Sequence, residues 1–340
     1  MNNQAKPIDE WQQVDSRTLA EEIIPRYRPA VLRGYVAHWP SVQAAQSGPG
    51  AICDYLRRHD NGTAVDAISV PAEFHGRLFY NHDMSAFNFA KGSASIARIG
   101  EELRRHATQK APPSLAVQSA LIADCLPGFL NENYLPALNP TIQPRIWFGN
   151  RFVVPAHVDE SNNIACVVSG RREFTLFPPE QVANLYIGPL DFTPTGLPIS
   201  TVDHSRLDFD RFPRYREAMA HALSATLEPG DAIYIPTLWW HRVESLDDYN
   251  TLVNYWWKEL PGATYAPGSM FYPLYHALLN IKALPVAHRQ AWGAMFNHYL
   301  FDATEDPAAH IPPQARGILG TLSEERARKV KELLASLLRS

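Results

Sequence analysis

The sequence predicts a mainly β protein with flanking helices, built around an antiparallel sandwich or barrel. From about residue 140, short apolar or β-branched segments recur between turn signals: Pro144–Phe148, Ile164–Val168, Glu173–Phe177, Ala232–Ile235 and Thr251–Trp257. Proline outnumbers glycine, 28 to 18, which favours stiff connections and short strands over a long helical bundle. After Pro261 the apolar spacing becomes helical.

Taken in order, Ala30–Val36 reads as a buried strand. Pro49–Arg58 and Ser95–His106 read as helices, with Ile52, Tyr55, Leu56 and then Ile96, Ile99, Leu103 each on one side. Phe79–Asn81 and Phe87–Phe89 flank a polar turn. Ser169-Gly170 signals a hairpin, and Glu228-Pro229-Gly230-Asp231 a turn just before an apolar strand. The stretch 184–216 is a polar, Pro-rich insertion in which Asp203, His204, Asp208 and Asp210 read as solvated. Phe271–Leu284 and His288–Phe301 read as helices, and a capping box, Thr321 with Glu324, opens a last one. Its apolar face, Ala327, Val330, Leu333, Leu334, Leu337 and Leu338, either docks on its own domain or packs against a second subunit. The expected organisation is a mixed α/β region at 1–135 packing on the barrel, a β core at 136–260 and a helical region at 261–340.

Composition narrows the function classes. The 340 residues carry 31 basic and 35 acidic side chains, a net charge of −4, which argues against direct nucleic-acid binding. Three widely spaced cysteines, Cys53, Cys125 and Cys166, build neither a disulfide framework nor a zinc knuckle, and fit a reducing compartment. The N-terminus has no apolar run behind a basic start, and no stretch is long and apolar enough to cross a bilayer. The expectation is a soluble cytoplasmic protein. Walker A, GxGxxG and GxSxG motifs are absent from the sequence.

The chemistry lies in Pro155-Ala-His157-Val-Asp159-Glu160. Side chains two apart on a strand point the same way, so His157 and Asp159 reach one ion together. A second segment, Pro229-Gly-Asp-Ala-Ile-Tyr-Ile-Pro236 followed by Trp239-Trp240-His241, delivers another imidazole at a strand end. Two imidazoles and one carboxylate occupy one face of an octahedral metal and leave positions for substrates, the pattern of non-haem Fe(II). Thiolate ligands are missing, which disfavours structural zinc.

Those two segments, with Asn163, Gly170–Gln181 and Val253–Trp256, resemble the cupin-like branch of the Jumonji-C family of Fe(II)/2-oxoglutarate oxygenases. Within it the likeness is strongest to the asparaginyl hydroxylases that act on hypoxia-inducible factor. The resemblance implies a double-stranded β-helix (jelly-roll, cupin) core, iron held by His157, Asp159 and His241, and 2-oxoglutarate and O2 as cosubstrates. It implies a dioxygenase that hydroxylates a polypeptide side chain. The family's lysine for the distal carboxylate of 2-oxoglutarate corresponds to Arg172, which stays charged and can grip a carboxylate bidentately. Arg172 also reads as a surface residue, its neighbour Arg171 then pointing the other way. Asn163 and Asn254 match positions where amides orient the cosubstrate or cap barrel turns. Two family hydroxyls are missing, with Val154 in place of a threonine and Ala116 in place of a tyrosine. That loss leaves a second reading open, a cupin-type metal-binding sensor that does not turn over 2-oxoglutarate.

Overall fold

The computed structural model describes residues 5–194, 196–258, 271–302 and 304–337. The chain divides into two units, 1–259 and 260–340. Eight strands organise the first: Arg145–Gly149, Phe152–His157, Asn162–Ser169, Arg172–Phe177, Leu223–Leu227, Ala232–Ile235, Trp240–Ser245 and Asn250–Trp257. The first, third, sixth and eighth lie in one sheet; the second, fourth, fifth and seventh lie in the other. Every pairing among the eight is antiparallel. This alternation between two facing sheets is the jelly roll, and it sets inward side chains of one sheet against those of the other.

The N-terminal region lends strands to the same sheets. Asp9–Gln12 and Ala30–Arg33 extend the larger sheet on one side, and Ser114–Leu121, Val65–Val70 and Ala90–Ala94 on the other. Helices Pro40–Gln46, Ala51–His59 and Ile96–His106 belong to the same region. Ile52, Leu56, Ile99 and Leu103 on these helices join Ile146, Phe148, Ile164 and Cys166 of the larger sheet in one core cluster. Burying each such aliphatic or aromatic side chain contributes about 1.5–3 kcal/mol. Ser95 caps the helix Ile96–His106 by accepting from the Arg98 N–H.

A second cluster fills the space between the sheets, with Phe174, Leu176 and Leu227 facing Ala165, Val167, Ile233, Ile235 and Leu252. The strand Asn162–Ser169 serves both clusters, so all its residues are buried and its middle, Ile164–Val168, is a continuous apolar run. Gly170, at φ +67°, turns the chain from this strand into Arg172–Phe177. Gly149 is required for a different reason: a Cβ there would stand 2.8 Å from the Ala116 Cα.

The 3-10 helix Pro179–Asn184 leads into the insertion, which runs on into the helix Tyr215–His221. Within it Ile199 bridges to His157, and the Ser200 N–H donates to the Ala156 carbonyl at 2.7 Å, covering the free edge of the His157 strand. Asp203 and His204 are half-buried and paired, where the sequence expectation made them solvated. Asp203 pairs with Arg77 at 3.1 Å, and His204 Nδ1 is hydrogen-bonded to the Tyr215 hydroxyl at 3.0 Å. Burial, with the positive charge of Arg242 added, lowers the His204 pKa to about 4.

The second unit contains helices Tyr272–Ile281, Val286–Phe296 and Glu324–Leu337. Ser323 caps the last one, its Oγ accepting from the Arg326 N–H at 3.3 Å, in the role the sequence assigned to Thr321. The side chains of Glu324 and Leu337, and all of Leu338, fall outside the described residues. Leu279, Trp292, Phe301, Leu333 and Leu334 are exposed. Among the described residues no helix is long and apolar enough to cross a membrane.

Candidate metal centre and the barrel interior

His157 ends one strand of the smaller sheet and His241 lies at the start of its antiparallel neighbour, directly paired with it. A bulge follows between His241 and Val243, so Val154 rather than Pro155 faces Val243. The two imidazole centroids are 4.2 Å apart. Asp159 lies just beyond the strand end, and its Oδ2 is 3.5 Å from His241 Nε2. One donor atom from each of the three residues lies within 4.8 Å of the others, and no second such group occurs among the described residues.

Hydrogen bonds prepare these donors. His157 Nδ1 donates to the Pro155 carbonyl at 2.9 Å and His241 Nδ1 donates to the Trp239 carbonyl at 3.0 Å. A carbonyl only accepts, so each Nδ1 holds the proton and each Nε2 keeps a lone pair, the tautomer a metal requires. Burial first, and the His241 imidazole second, lower the His157 pKa to about 4, keeping it neutral. Asn163 Nδ2 donates to Asp159 Oδ2 at 3.2 Å and orients the carboxylate. One polar residue the sequence reading passed over, Asn162, and the Asp159 carbonyl hold the turn before His241. Asn162 Oδ1 accepts from the Thr237 N–H at 3.2 Å, and the Leu238 N–H donates to the Asp159 carbonyl at 3.0 Å. Leu238 sits at φ +65°, a conformation unfavourable for leucine, kept by these contacts. The donor set of two neutral imidazoles and one carboxylate, with its supporting hydrogen bonds, fits a divalent first-row metal.

The interior beyond this centre is polar in an unusual way. Arg172 shares the inward face with Phe174 and Leu176, two and four residues along its strand. It is 7 % exposed and makes no hydrogen bond or ion pair with any described residue. Burial alone lowers its pKa to about 9. Leu176 pairs with His241, Phe174 with Val243 and Arg172 with Ser245. Arg172 is therefore rooted roughly 13 Å along the strands from the metal end. Arg171 points outward and pairs with Asp247 at 2.9 Å, as strand alternation requires. Asn254 and Asn163 lie on the inward face of the larger sheet, paired with Ala165 and Trp256. Four further buried polar atoms without partners gather on this inner surface: Asn163 Oδ1, Trp239 Nε1, Asn254 Oδ1 and Trp256 Nε1. Protein interiors rarely leave such groups unsatisfied, so the interior is built to surround something polar. Val154 and Ala116, by contrast, join an apolar wall with Ile68, Val70, Leu78, Phe89 and Phe152.

The cupin-like domain family matches residues 16–263, most of the chain. The chain belongs to that family. It is 34% identical over 113 residues to human HSPB1-associated protein 1, covering 33% of this chain and 22% of that protein. It is 31% identical over 133 residues to the lysine-specific demethylase JMJ31 of Arabidopsis thaliana, covering 39% and 23%. A longer and weaker likeness, 25% over 278 residues, covers 74% of this chain and 75% of the tRNA wybutosine-synthesizing protein 5 of Danio rerio. The aligned stretches span less than a quarter of the first two relatives.

Proposed function

We propose that this protein is an Fe(II)- and 2-oxoglutarate-dependent dioxygenase that hydroxylates a polypeptide side chain. The observation that carries the reading is the pairing of a prepared His157–Asp159–His241 donor set with a buried, unpartnered Arg172 deeper in the same barrel. Relatives named as lysine-specific demethylases support the oxygenase class. The likeness to asparaginyl hydroxylases favours hydroxylation over demethylation, and it favours a protein or peptide substrate over a nucleic acid.

In this reading His157, Asp159 and His241 would hold ferrous iron. A ferrous ion held there would supply the O2 activation that couples oxidative decarboxylation of 2-oxoglutarate to hydroxylation of a substrate C–H bond. The chain's own residues orient and exclude. Arg172 receives the distal carboxylate of the cosubstrate, a charge-assisted contact that also offsets the desolvation of the guanidinium. Asn163 fixes the Asp159 carboxylate, and Asn254 turns its amide toward the cosubstrate or bound water. Trp147 and Trp256, edge to face at 5.3 Å, flank the interior and keep water out.

The apolar wall at Val154 and Ala116 favours a second reading, a metal-binding sensor module with little turnover. One assay separates the two. The purified chain with Fe(II), ascorbate, O2 and 2-oxoglutarate should form succinate, and His241→Ala should not. Absence of succinate together with intact metal binding would leave the sensor reading standing. The exposed apolar side chains of the C-terminal unit further suggest a homodimer formed through its helices, which light scattering of the purified chain tests. A cytoplasmic location completes the proposal.

A further inference from the structure

We propose that Tyr27 and Asn162 are positioning residues of the metal centre: they grip Thr237, in the turn that delivers His241, and this grip sets the affinity for the metal. The inference deepens the proposed function and rests on its metal centre alone, not on 2-oxoglutarate or a substrate.

His241 is the second residue of its strand, and its Nδ1 donates to the Trp239 carbonyl at 3.0 Å. The aim of its Nε2 lone pair therefore depends on where the turn 236–239 puts that carbonyl. The turn holds itself weakly, since the Trp239 N–H reaches the Pro236 carbonyl only at 3.3 Å. Its position comes from other segments. Thr237 is held at both backbone polar groups: its N–H donates to Asn162 Oδ1 at 3.2 Å, and its carbonyl accepts from the Tyr27 hydroxyl at 2.7 Å. The next N–H, that of Leu238, donates to the Asp159 carbonyl at 3.0 Å. One gripped turn thus joins the segments that carry Asp159 and His241 through the chain's own hydrogen bonds.

Each grip has its own anchor. Asn162 is 4 % exposed, and its Oδ1 also accepts from the Tyr234 hydroxyl at 3.1 Å. Tyr27 is 45 % exposed, so burial of its ring does not explain its place; its hydroxyl bonds a turn 210 residues further along the chain. Tyr27 sits at φ +50° and Leu238 at φ +65°, both in the left-handed region that a Cβ disfavours. Two such residues beside one hydrogen bond persist where the surrounding contacts over-determine them, and strain of this kind collects at functional sites. A donor set already held in register binds an ion without a further ordering cost.

The test is Co(II) titrated into the full-length chain and followed by its visible absorption, with circular dichroism confirming that each variant is folded. Asn162→Ala should weaken Co(II) binding by about tenfold, as loss of a group that orients ligands does. Tyr27→Phe keeps the exposed ring and removes the hydroxyl, and should weaken it by about threefold, the effect of one neutral hydrogen bond. Asn162→Asp keeps the acceptor and should bind at least as tightly as the wild type. A purely structural role predicts otherwise: the urea midpoint of the metal-free chain falls, while the folded variants bind Co(II) as the wild type does. Equal Co(II) affinity in the wild type, Asn162→Ala and Tyr27→Phe would therefore overturn the inference and leave the metal centre standing. A wild type that binds no Co(II) would overturn both.

Discussion

Two buried arginines on the same sheet show opposite solutions to one problem. Arg242 lies on the outward face, 5 % exposed, and its terminal nitrogens bond to Glu173 and Glu244 on adjoining positions. Arg172 lies on the inward face, 7 % exposed, with no carboxylate among the described residues to meet it. Burying a guanidinium is costly unless an anion compensates it. The outward arginine has its anions within the chain and serves the fold. The inward one has none among the described residues, so its cost is uncompensated there, and the proposed acidic cosubstrate would relieve it. The difference separates a charge paired within the fold from one that is proposed to await a ligand.

Substitution should give the two arginines opposite signs. Arg172→Met should stabilise the metal-free chain, by about 1–3 kcal/mol, because it replaces an uncompensated buried charge with an apolar side chain of similar length. Urea denaturation would read this, and a clear loss of stability would break the comparison. Arg242→Met should destabilise the chain by about 1–2 kcal/mol; Glu173 and Glu244 are partly exposed, so solvent screens what is lost.

The pH dependence follows from His204 beneath the insertion. Its folded pKa, about 4, is depressed below the ordinary value of 6.5. Above pH 6.5 the side chain is neutral in both states and its contribution is fully present. As pH falls from 6.5 toward 4 the unfolded chain takes up the proton first, and stability is lost. His204→Gln should flatten this part of the stability profile by about 2–3 kcal/mol. An unchanged profile would show that His204 is not held neutral. Asn163→Ala should lower metal affinity by about tenfold without unfolding the chain, since the Asp159 carboxylate loses its orienting donor. The smallest effect belongs to Arg171→Ala. Its ion pair with Asp247 is exposed, so stability should change by less than about 0.5 kcal/mol.

Much of this was legible in the sequence. The convergence of His157, Asp159 and His241 was, because strand alternation puts His157 and Asp159 on one side and a turn–strand–turn segment returns His241 to them. The jelly roll was legible where strands are buried on both faces and read as apolar runs, as at Ile164–Val168. It was not legible at Leu223–Leu227, whose half-exposed side chains leave no apolar run. Nor did Val65–Val70 and Ala90–Ala94 announce that they join the larger sheet, because the latter strand, Ala-Lys-Gly-Ser-Ala, is an exposed edge. Arg172 could be read either as a surface residue or as a ligand holder, since sequence gives alternation but not which face is covered. His204 was misread because a polar, Pro-rich segment reads as solvated, and burial by Tyr215 and the neighbouring strands is a tertiary fact.

The account depends most on His157, Asp159 and His241 acting as one metal centre, and ferrous ion titration under anaerobic conditions tests it most directly. The wild type should bind one Fe(II) per chain, and His157→Ala, Asp159→Ala and His241→Ala should bind none while keeping wild-type far-ultraviolet circular dichroism. Undiminished iron stoichiometry in folded variants would contradict the assignment.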